Sequence, residues 1–291
     1  MAVTPPVVLT IAGFDPSSGA GITADIKTIA AHECFGVSCI TALTVQSTQG
    51  VRRVVGVAPG LIAETLQELV SDLVVEAVHI GMLGNAQVVA VVADFLAKPS
   101  TGHARLPHVV LDPILKSSSG ADLLDVAGRR LLIERLIPLA ELITPNLDEA
   151  SVLTGMTVTN LDQMHAAAAR LHSLGASNVV VTGGHLEKAT DLLSFTTGRG
   201  TEQEVFKADR QRSSSTHGTG CAFATALACH LAHGRGLPEA VLLSKAYVSA
   251  AIANAHPLGK GSGPLHHLYR MGQQRRTSTV VSETEQAHSR S

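Results

Sequence analysis

The chain has 291 residues, of which 45% are apolar, enough for one large α/β domain with a sizeable core, and a formal net charge of −2. Aromatic content of 3% with no tryptophan, and no basic field, exclude a nucleic-acid partner. The four cysteines form no C-x-x-C pair, and fourteen histidines are scattered without a ligand signature; with no signal peptide and no apolar run of roughly 18 residues, a cytoplasmic protein that makes no use of a membrane is expected. In chain order, Val7 to Ala12 reads as a buried strand, GFDPSSGAG as a loop, and Ile22 to Ala31 as a helix. Gly36 to Leu43 and Arg53 to Val57 are β-branched runs with no helix between them, which predicts a hairpin or flap over a site. Strands and helices then alternate. A helix over Pro59 to Asp72 precedes EAVHIG, and a helix over Asn85 to Ala97 precedes HVVLDP. A helix over Leu123 to Leu136 precedes LITPN, and a short helix from Leu147 and another over Leu161 to Leu174 precede NVVVTGG. This order predicts a parallel sheet wound by right-handed crossovers. DLLSFTT and EQEVFKA read as a β-meander, followed by a loop and helix over Ser213 to Gly234 and a last helix over Pro238 to Asn254. From Met271 the chain turns polar and is expected to be a disordered tail, leaving residues 1–270 as a single domain.

The stretch SSSTHGTGCAFATALACHLAHG carries the strongest chemical signal. It places a glycine-punctuated loop before an apolar helix, so the bare N–H groups at Gly218, Thr219, Gly220 and Cys221 favour an anion such as phosphate. At that end a thiol pKa is expected to fall, which would make Cys221 a proton acceptor. A plain turn before a core helix is the alternative. Other candidates follow strand ends, where α/β sheets bind ligands: Gly13 and Asp15, Gly81 and Met82, Asp112, Asn146, and Thr182 with Gly183 and Gly184. Asp112, and Asn146 with Glu149, offer oxygen ligands for Mg²⁺ beside nucleotide phosphates, although a turn and a helix cap fit them equally. The Gln46 amide complements a heteroaromatic ring with an amino group beside a ring nitrogen, and Asp25 could reach the same space. Residues 19–24 match G-x-G-x-x-G/A, the basis of a dinucleotide-dependent oxidoreductase reading. Five residues separate that match from Gly13, it lacks the later acid, and no P-loop is present, so nucleotide phosphates are expected at His217 to Cys221.

TIAGFDPSSGAGITADIKT, ITALTVQST, HIGMLG, VVLDPILKSSSG, LITPNLDEA, GGH, STHGTGC and GSGPLHH, in this order, closely resemble the bifunctional hydroxymethylpyrimidine and phosphomethylpyrimidine kinases of thiamine biosynthesis, in the ribokinase-like superfamily. The resemblance covers about residues 7 to 269. It implies a three-layer α/β/α fold with a mainly parallel sheet and a small β flap, a homodimer, and transfer of phosphoryl groups from ATP with Mg²⁺ to a pyrimidine alcohol and then to its phosphate. It further implies that Gln46, Asp25, Gly13, Ala20, Thr44 and Met82 line the pyrimidine pocket. Asp112, Asn146, Thr182 and His217 would serve ATP, Glu149 and Asp112 the metal, and Gly218, Thr219, Gly220 and Cys221 the anion site, with Cys221 where most of the superfamily carries an Asp base. The chain departs from relatives at Ser118 and Thr182, where lysine or threonine and lysine are usual, and Lys116 is displaced. Pyridoxal kinase of the same superfamily, and a non-catalytic pyrimidine sensor on this fold, are the rival readings.

Overall fold

A computed structural model describes residues 4–98, 105–117, 120–184, 186–209, 211, 213 and 215–271. The expected tail beyond Met271, and Ser118, lie outside the described residues. The strands are β1 (Val7–Phe14), β2 (Phe35–Ser47), β3 (Gly50–Gly56), β4 (Val75–Ile80), β5 (Val109–Leu111), β6 (Leu142–Ile143), β7 (Val179–Gly183), β8 (Ala189–Thr197) and β9 (Gly200–Ala208). The helices are α1 (Gly21–Ala31), α2 (Pro59–Asp72), α3 (Ala86–Leu96), α4 (Val126–Leu131), α5 (Leu147–Thr154), α6 (Leu161–Ser173), α7 (Thr219–Ala232) and α8 (Leu237–Ala253). The strands form one nine-stranded sheet in the order β3-β2-β1-β4-β5-β6-β7-β8-β9, parallel from β2 to β7 and antiparallel at both edges. Among the described residues no helix is long and apolar enough to cross a membrane.

Strand periodicity explains the three layers. Leu9, Ile11, Val78, Ile80, Leu111, Ile143, Val179 and Val181 point to one face and pack with Ile62 and Leu66 of α2, Val88 and Val92 of α3, and Met164 and Leu171 of α6. Their neighbours Val8, Ala77, Val110, Leu142 and Val180 point to the other, against Ile29 of α1, Leu227 of α7 and Tyr247 of α8. Near-continuous apolar runs are what a sheet covered on both faces demands. Truncating a side chain such as fully buried Leu66 to alanine would cost about 2–5 kcal/mol. Helix α7 is the extreme case, since every residue from Cys221 to Leu231 is buried. Its small residues let it lie between sheet and outer helices, which fixes its N-terminus in place.

Two predicted elements are revised. β2 is not merely a flap strand: it runs parallel to β1 from Phe35 to Ile40, pairs with it again at Leu43 after a register shift, and on its other edge pairs antiparallel with β3 from Ala42 to Ser47. The flap is the outer end of this long strand together with β3. The helix predicted over Leu123 to Leu136 begins only at Val126, because the Asp125 side chain caps it by accepting from the Gly128 N–H. It then widens into a π-turn over Leu132–Leu136 and closes in a 3₁₀ turn holding Pro138.

Candidate active site

The loop after β1 is organised by one carboxylate. Asp15 Oδ1 accepts from the Ser17 N–H (2.8 Å) and Ser17 hydroxyl (2.7 Å), and Oδ2 from the N–H groups of Gly19 (3.2 Å) and Ala20 (3.0 Å). This is the way Asp folds a turn around itself. His217 Nε2 lies 3.0 Å from the same Oδ2 and 3.1 Å from the Gln46 amide nitrogen, joining loop, flap and the approach to α7. Burial alone would raise the Asp15 pKa, but hydrogen bonds from His217, Ser17 and Ala20 outweigh it and hold the carboxyl below its ordinary value.

The approach to α7 ends at Gly218, whose φ of 83° is left-handed. Glycine is required there twice over, because a Cβ would also strike the Gly19 carbonyl oxygen. No side chain caps the helix. Across this end, Asp112 Oδ2 lies 3.6 Å from where a Cβ on Gly220 would stand. Cys221 is buried just inside, with the Gly21 N–H donating to its sulfur. The expectation of a lowered thiol pKa is corrected: burial, followed by the charges of Asp112 and Asp25, raises it well above the ordinary value. Loss of hydration and nearby carboxylates outweigh the helix dipole, so the thiol keeps its proton.

Asn146 and Glu149 form a capping box at the start of α5: Asn146 Oδ1 accepts from the Glu149 N–H (2.9 Å), and Glu149 Oε2 from the Asn146 N–H (3.0 Å). Thr182 is bridged to Asn146 through backbone, its N–H donating to the Pro145 carbonyl at 2.9 Å. Both acids here are buried and raised. Burial lifts Glu149 to about 7 against the opposing hydrogen bonds of Asn146 and Leu115. Burial, then the charges of Glu149 and Asp25, lifts Asp112 well above the carboxylate range. Two mutually repelling buried acids suit a hard cation, which would neutralise them. Among the described residues no group of three or more His, Cys, Asp or Glu side chains could hold a metal ion, so Mg²⁺ here would need water and phosphate oxygens to complete its shell.

On the flap side, Thr44 Oγ1 donates to the Phe14 carbonyl (3.0 Å) and lies 3.2 Å from Gln46 Oε1, while Met82 Sδ lies 2.8 Å from where a Cβ on Gly13 would stand. A cavity of about 240 Å³ under the flap tip is lined by Gln46, Thr48, Ser117, His217, Gly261 and Ser262. The Gly261 N–H reaches Thr48 Oγ1 at 3.2 Å and closes that tip. A larger cavity of about 440 Å³, lined by His172, Ser194 and Gln203, opens beside β8 and β9, away from every residue named so far; the smaller one shares Gln46 and His217 with the candidate set and is the relevant one.

Gly13, Ala20, Thr44, Gln46 and Met82 thus gather on one side, Asp112, Asn146, Glu149 and Thr182 on the other, with residues 218–221 between. Two placements differ from expectation. Asp25 is fully buried beneath the pocket, its oxygens taken by the hydroxyls of Thr10 (2.7 Å) and Thr225 (3.0 Å). His217, expected with the nucleotide, stands with Asp15 and Gln46. Sequence reading assigned no role to Lys245, whose Nζ pairs with Asp191 Oδ2 at 2.6 Å while Asp191 Oδ1 accepts from the Gly183 N–H (3.1 Å). Nothing local signals a pair so far apart in the chain. Lys27, donating to the Ser18 carbonyl at 2.9 Å, was also missed; its place on the first helix beside the serine-rich loop was the available clue.

The family model described as phosphomethylpyrimidine kinase matches residues 15–266. The hydroxymethylpyrimidine/phosphomethylpyrimidine kinase of Streptomyces coelicolor is 39% identical over 272 residues, 93% of this chain and 97% of that protein. The thiamine biosynthesis bifunctional protein ThiED of Geobacter sulfurreducens is 44% identical over 263 residues, 90% of this chain, which spans only 52% of that longer relative. Among solved structures, the ADP complex of Bacillus subtilis pyridoxal kinase superposes with a TM-score of 0.81 at 33% identity, covering 92% of this chain and all of that one (100%). An α/β sheet covered on both faces, an uncapped helix N-terminus facing buried acids, and a match spanning nearly the whole described chain agree: this protein belongs to the phosphomethylpyrimidine kinase family and has the ribokinase-like fold.

Proposed function

We propose that the chain moves the γ-phosphoryl group of ATP onto the hydroxymethyl oxygen of 4-amino-5-hydroxymethyl-2-methylpyrimidine, and then a second phosphoryl group onto that phosphate. The observation that carries this reading is the uncapped, glycine-opened start of α7, placed between the Gln46 pocket and the Asp112–Glu149 pair. Phosphoryl transfer asks chiefly for alignment and charge neutralisation, which fixed N–H groups supply without reorganising. Gln46 presents donor and acceptor to the aminopyrimidine edge, and Gly13 and Met82 bound its ring. Asp112 and Glu149 would hold Mg²⁺, which when bound neutralises phosphate charge. Asn146 and Thr182 flank the nucleotide at the ends of β6 and β7. Because the Cys221 thiol is protonated, we assign it to positioning the acceptor oxygen; in the second step the acceptor is a phosphate already ionised near neutral pH. Lys245, paired with Asp191 whose other oxygen accepts from the Gly183 N–H, is a buried cation close to Thr182, where relatives carry lysine.

The same reading takes residues 1–270 as one kinase domain acting in the cytoplasm on small molecules. Its support is one continuous sheet with a core on each face. A homodimer is supported by the exposed apolar row on the flap, where Leu43, Val45 and Val55 are 49%, 52% and 43% exposed. The test is product analysis after incubation with hydroxymethylpyrimidine and Mg·ATP: monophosphate followed by diphosphate is expected, and the absence of both refutes the reading. The likeness to a pyridoxal kinase favours one rival, pyridoxal as acceptor. A higher kcat/KM with pyridoxal than with the pyrimidine would establish it instead.

A further inference from the structure

The side-chain amide of Gln46 lies between two groups whose hydrogens can be placed from their partners. The first is His217. The Asp15 side chain is only 4% exposed and takes the N–H groups of Ser17, Gly19 and Ala20, and its carboxyl is held below the ordinary pKa, so toward His217 it can only accept. His217 Nε2, 3.0 Å from Asp15 Oδ2, therefore carries hydrogen. The second is Thr44. Its one hydroxyl hydrogen goes to the Phe14 carbonyl at 3.0 Å, which leaves Oγ1 only lone pairs to offer Gln46. His217 stands 3.1 Å from one end of the Gln46 amide and Thr44 3.2 Å from the other. A donor thus faces the first end and an acceptor the second. The two ends of an amide are nearly alike in outline, so these partners decide which end lies where. A nitrogen toward His217 sets two N–H groups against each other across 3.1 Å; a half-turn of the amide, carbonyl to His217 and nitrogen to Thr44, removes the conflict at both ends.

We propose that His217, its proton fixed by Asp15, is the positioning residue that turns the Gln46 carbonyl toward α7 and thereby makes the pocket select an amino group, and reject an oxo group, beside the reacting hydroxymethyl carbon. The inference rests on the reading of residues 218–221 as the phosphoryl site. His217 directly precedes Gly218, so the amide end that faces it is the end nearer the place where the acceptor oxygen must stand. In the pyrimidine, the amino-bearing carbon adjoins the carbon that carries the hydroxymethyl group, and the ring nitrogen is one position further. The amino group therefore meets the Gln46 carbonyl, and the ring nitrogen meets the amide N–H on the Thr44 side. After its bonds to His217 and Thr44 the amide keeps one carbonyl lone pair and one N–H, the two contacts such an edge requires. A 4-oxo ring carries the reverse pattern, with an oxygen beside the hydroxymethyl group and an N–H next along, so it would set oxygen against oxygen and N–H against N–H. Gln46 and His217 both line the cavity of about 240 Å³ under the flap, which puts this amide at the wall a ring would meet.

The test compares two acceptors, 4-amino-5-hydroxymethyl-2-methylpyrimidine and its 4-oxo counterpart, in the wild type, in His217→Ala and in His217→Ala combined with Thr44→Val. The ratio of their kcat/KM values should favour the amino ring about 10³-fold in the wild type. It should fall about tenfold in His217→Ala, because the amino ring loses a contact and the oxo ring loses a clash, and further in the double variant. A residue that only supports the fold would lower both acceptors alike, so an unchanged ratio in His217→Ala overturns the proposal, as does a wild type that takes both rings equally. The proton is read separately, in a long-range proton–nitrogen correlation spectrum of the labelled free chain. The His217 signal, identified by its loss in His217→Ala, should show Nε2 protonated; a bare Nε2 overturns the proposal whatever the acceptors do. If the wild type phosphorylates neither ring, the kinase reading fails by itself and the ratio is taken from dissociation constants measured by calorimetry. Preferred binding of the amino ring then upholds the proposal, and equal or absent binding of both overturns it. Should the double variant fail to fold by circular dichroism, the single variant and the spectrum decide.

Discussion

The two sides of the candidate site solve opposite electrostatic problems. On the flap side, Asp15 is surrounded by donors from Ser17, Gly19, Ala20 and His217, and its charge is compensated within the fold. On the nucleotide side, Asp112 and Glu149 are buried with too few donors and repel one another. On the proposed reading, the first side is complete in the free protein, whereas the second would be completed by a cation and its ligands. Preorganisation would then serve recognition of a neutral ring, and the unmet electrostatics would be kept where charge arrives with the substrate.

The largest effect expected falls on the element shared by both sides. Gly218→Ala drives a Cβ into the Gly19 carbonyl and displaces the N–H groups of α7, so kcat should fall about 10²–10³-fold in both phosphorylations, measured with each acceptor separately. A loss under tenfold would show that those groups do not meet the migrating phosphoryl.

Next comes the pH dependence of stability. Glu149 rises from 4.5 to about 7 on folding, so between those values the folded chain binds more protons than the unfolded one, and stability contributed by this group is lost as pH rises through the window. The difference is on the order of 3 kcal/mol, read as urea midpoints at either end, without Mg²⁺. Glu149→Gln should remove most of it. A wild type whose stability is flat or rising there would erase the contrast between the two sides.

His217→Ala probes the compensated side. It removes one donor of several from Asp15 and one contact of Gln46, so KM for the pyrimidine should rise about tenfold with kcat little changed. The smallest effect sharpens the role of the buried thiol: Cys221→Ala should lower the two phosphorylations by factors within about threefold of each other, because a protonated thiol positions both acceptors alike. A loss confined to the first step would restore it as a proton acceptor.

The periodic parts of the fold were readable because burial on both sheet faces leaves runs such as VVLTIA and VVV with no other use. What escaped was whatever depended on distant partners. The hairpin of β2 with β3 was legible in the two β-branched runs, whereas the parallel pairing of β2 with β1 is not written in local pattern. The glycines and acids at strand ends were visible because strand ends are where ligands bind in such sheets. The Cys221 thiol was misjudged because a helix terminus is legible in sequence, whereas the burial and the converging carboxylates that overrule it are tertiary. Asp25 fell beneath its expected pocket for a similar reason: Thr225, which claims its second oxygen, lies two hundred residues away.

The contact between Gly261 and the flap tip has a kinetic corollary. The segment that clasps Thr48 also accepts, through the Gly263 carbonyl, the His217 N–H at 3.1 Å. Were the proposed product to leave by lifting of the flap, that motion would tug on the residues leading into α7. Turnover would be gated by a short peptide latch whose unfastening relaxes the grip on ring and phosphate in a single motion.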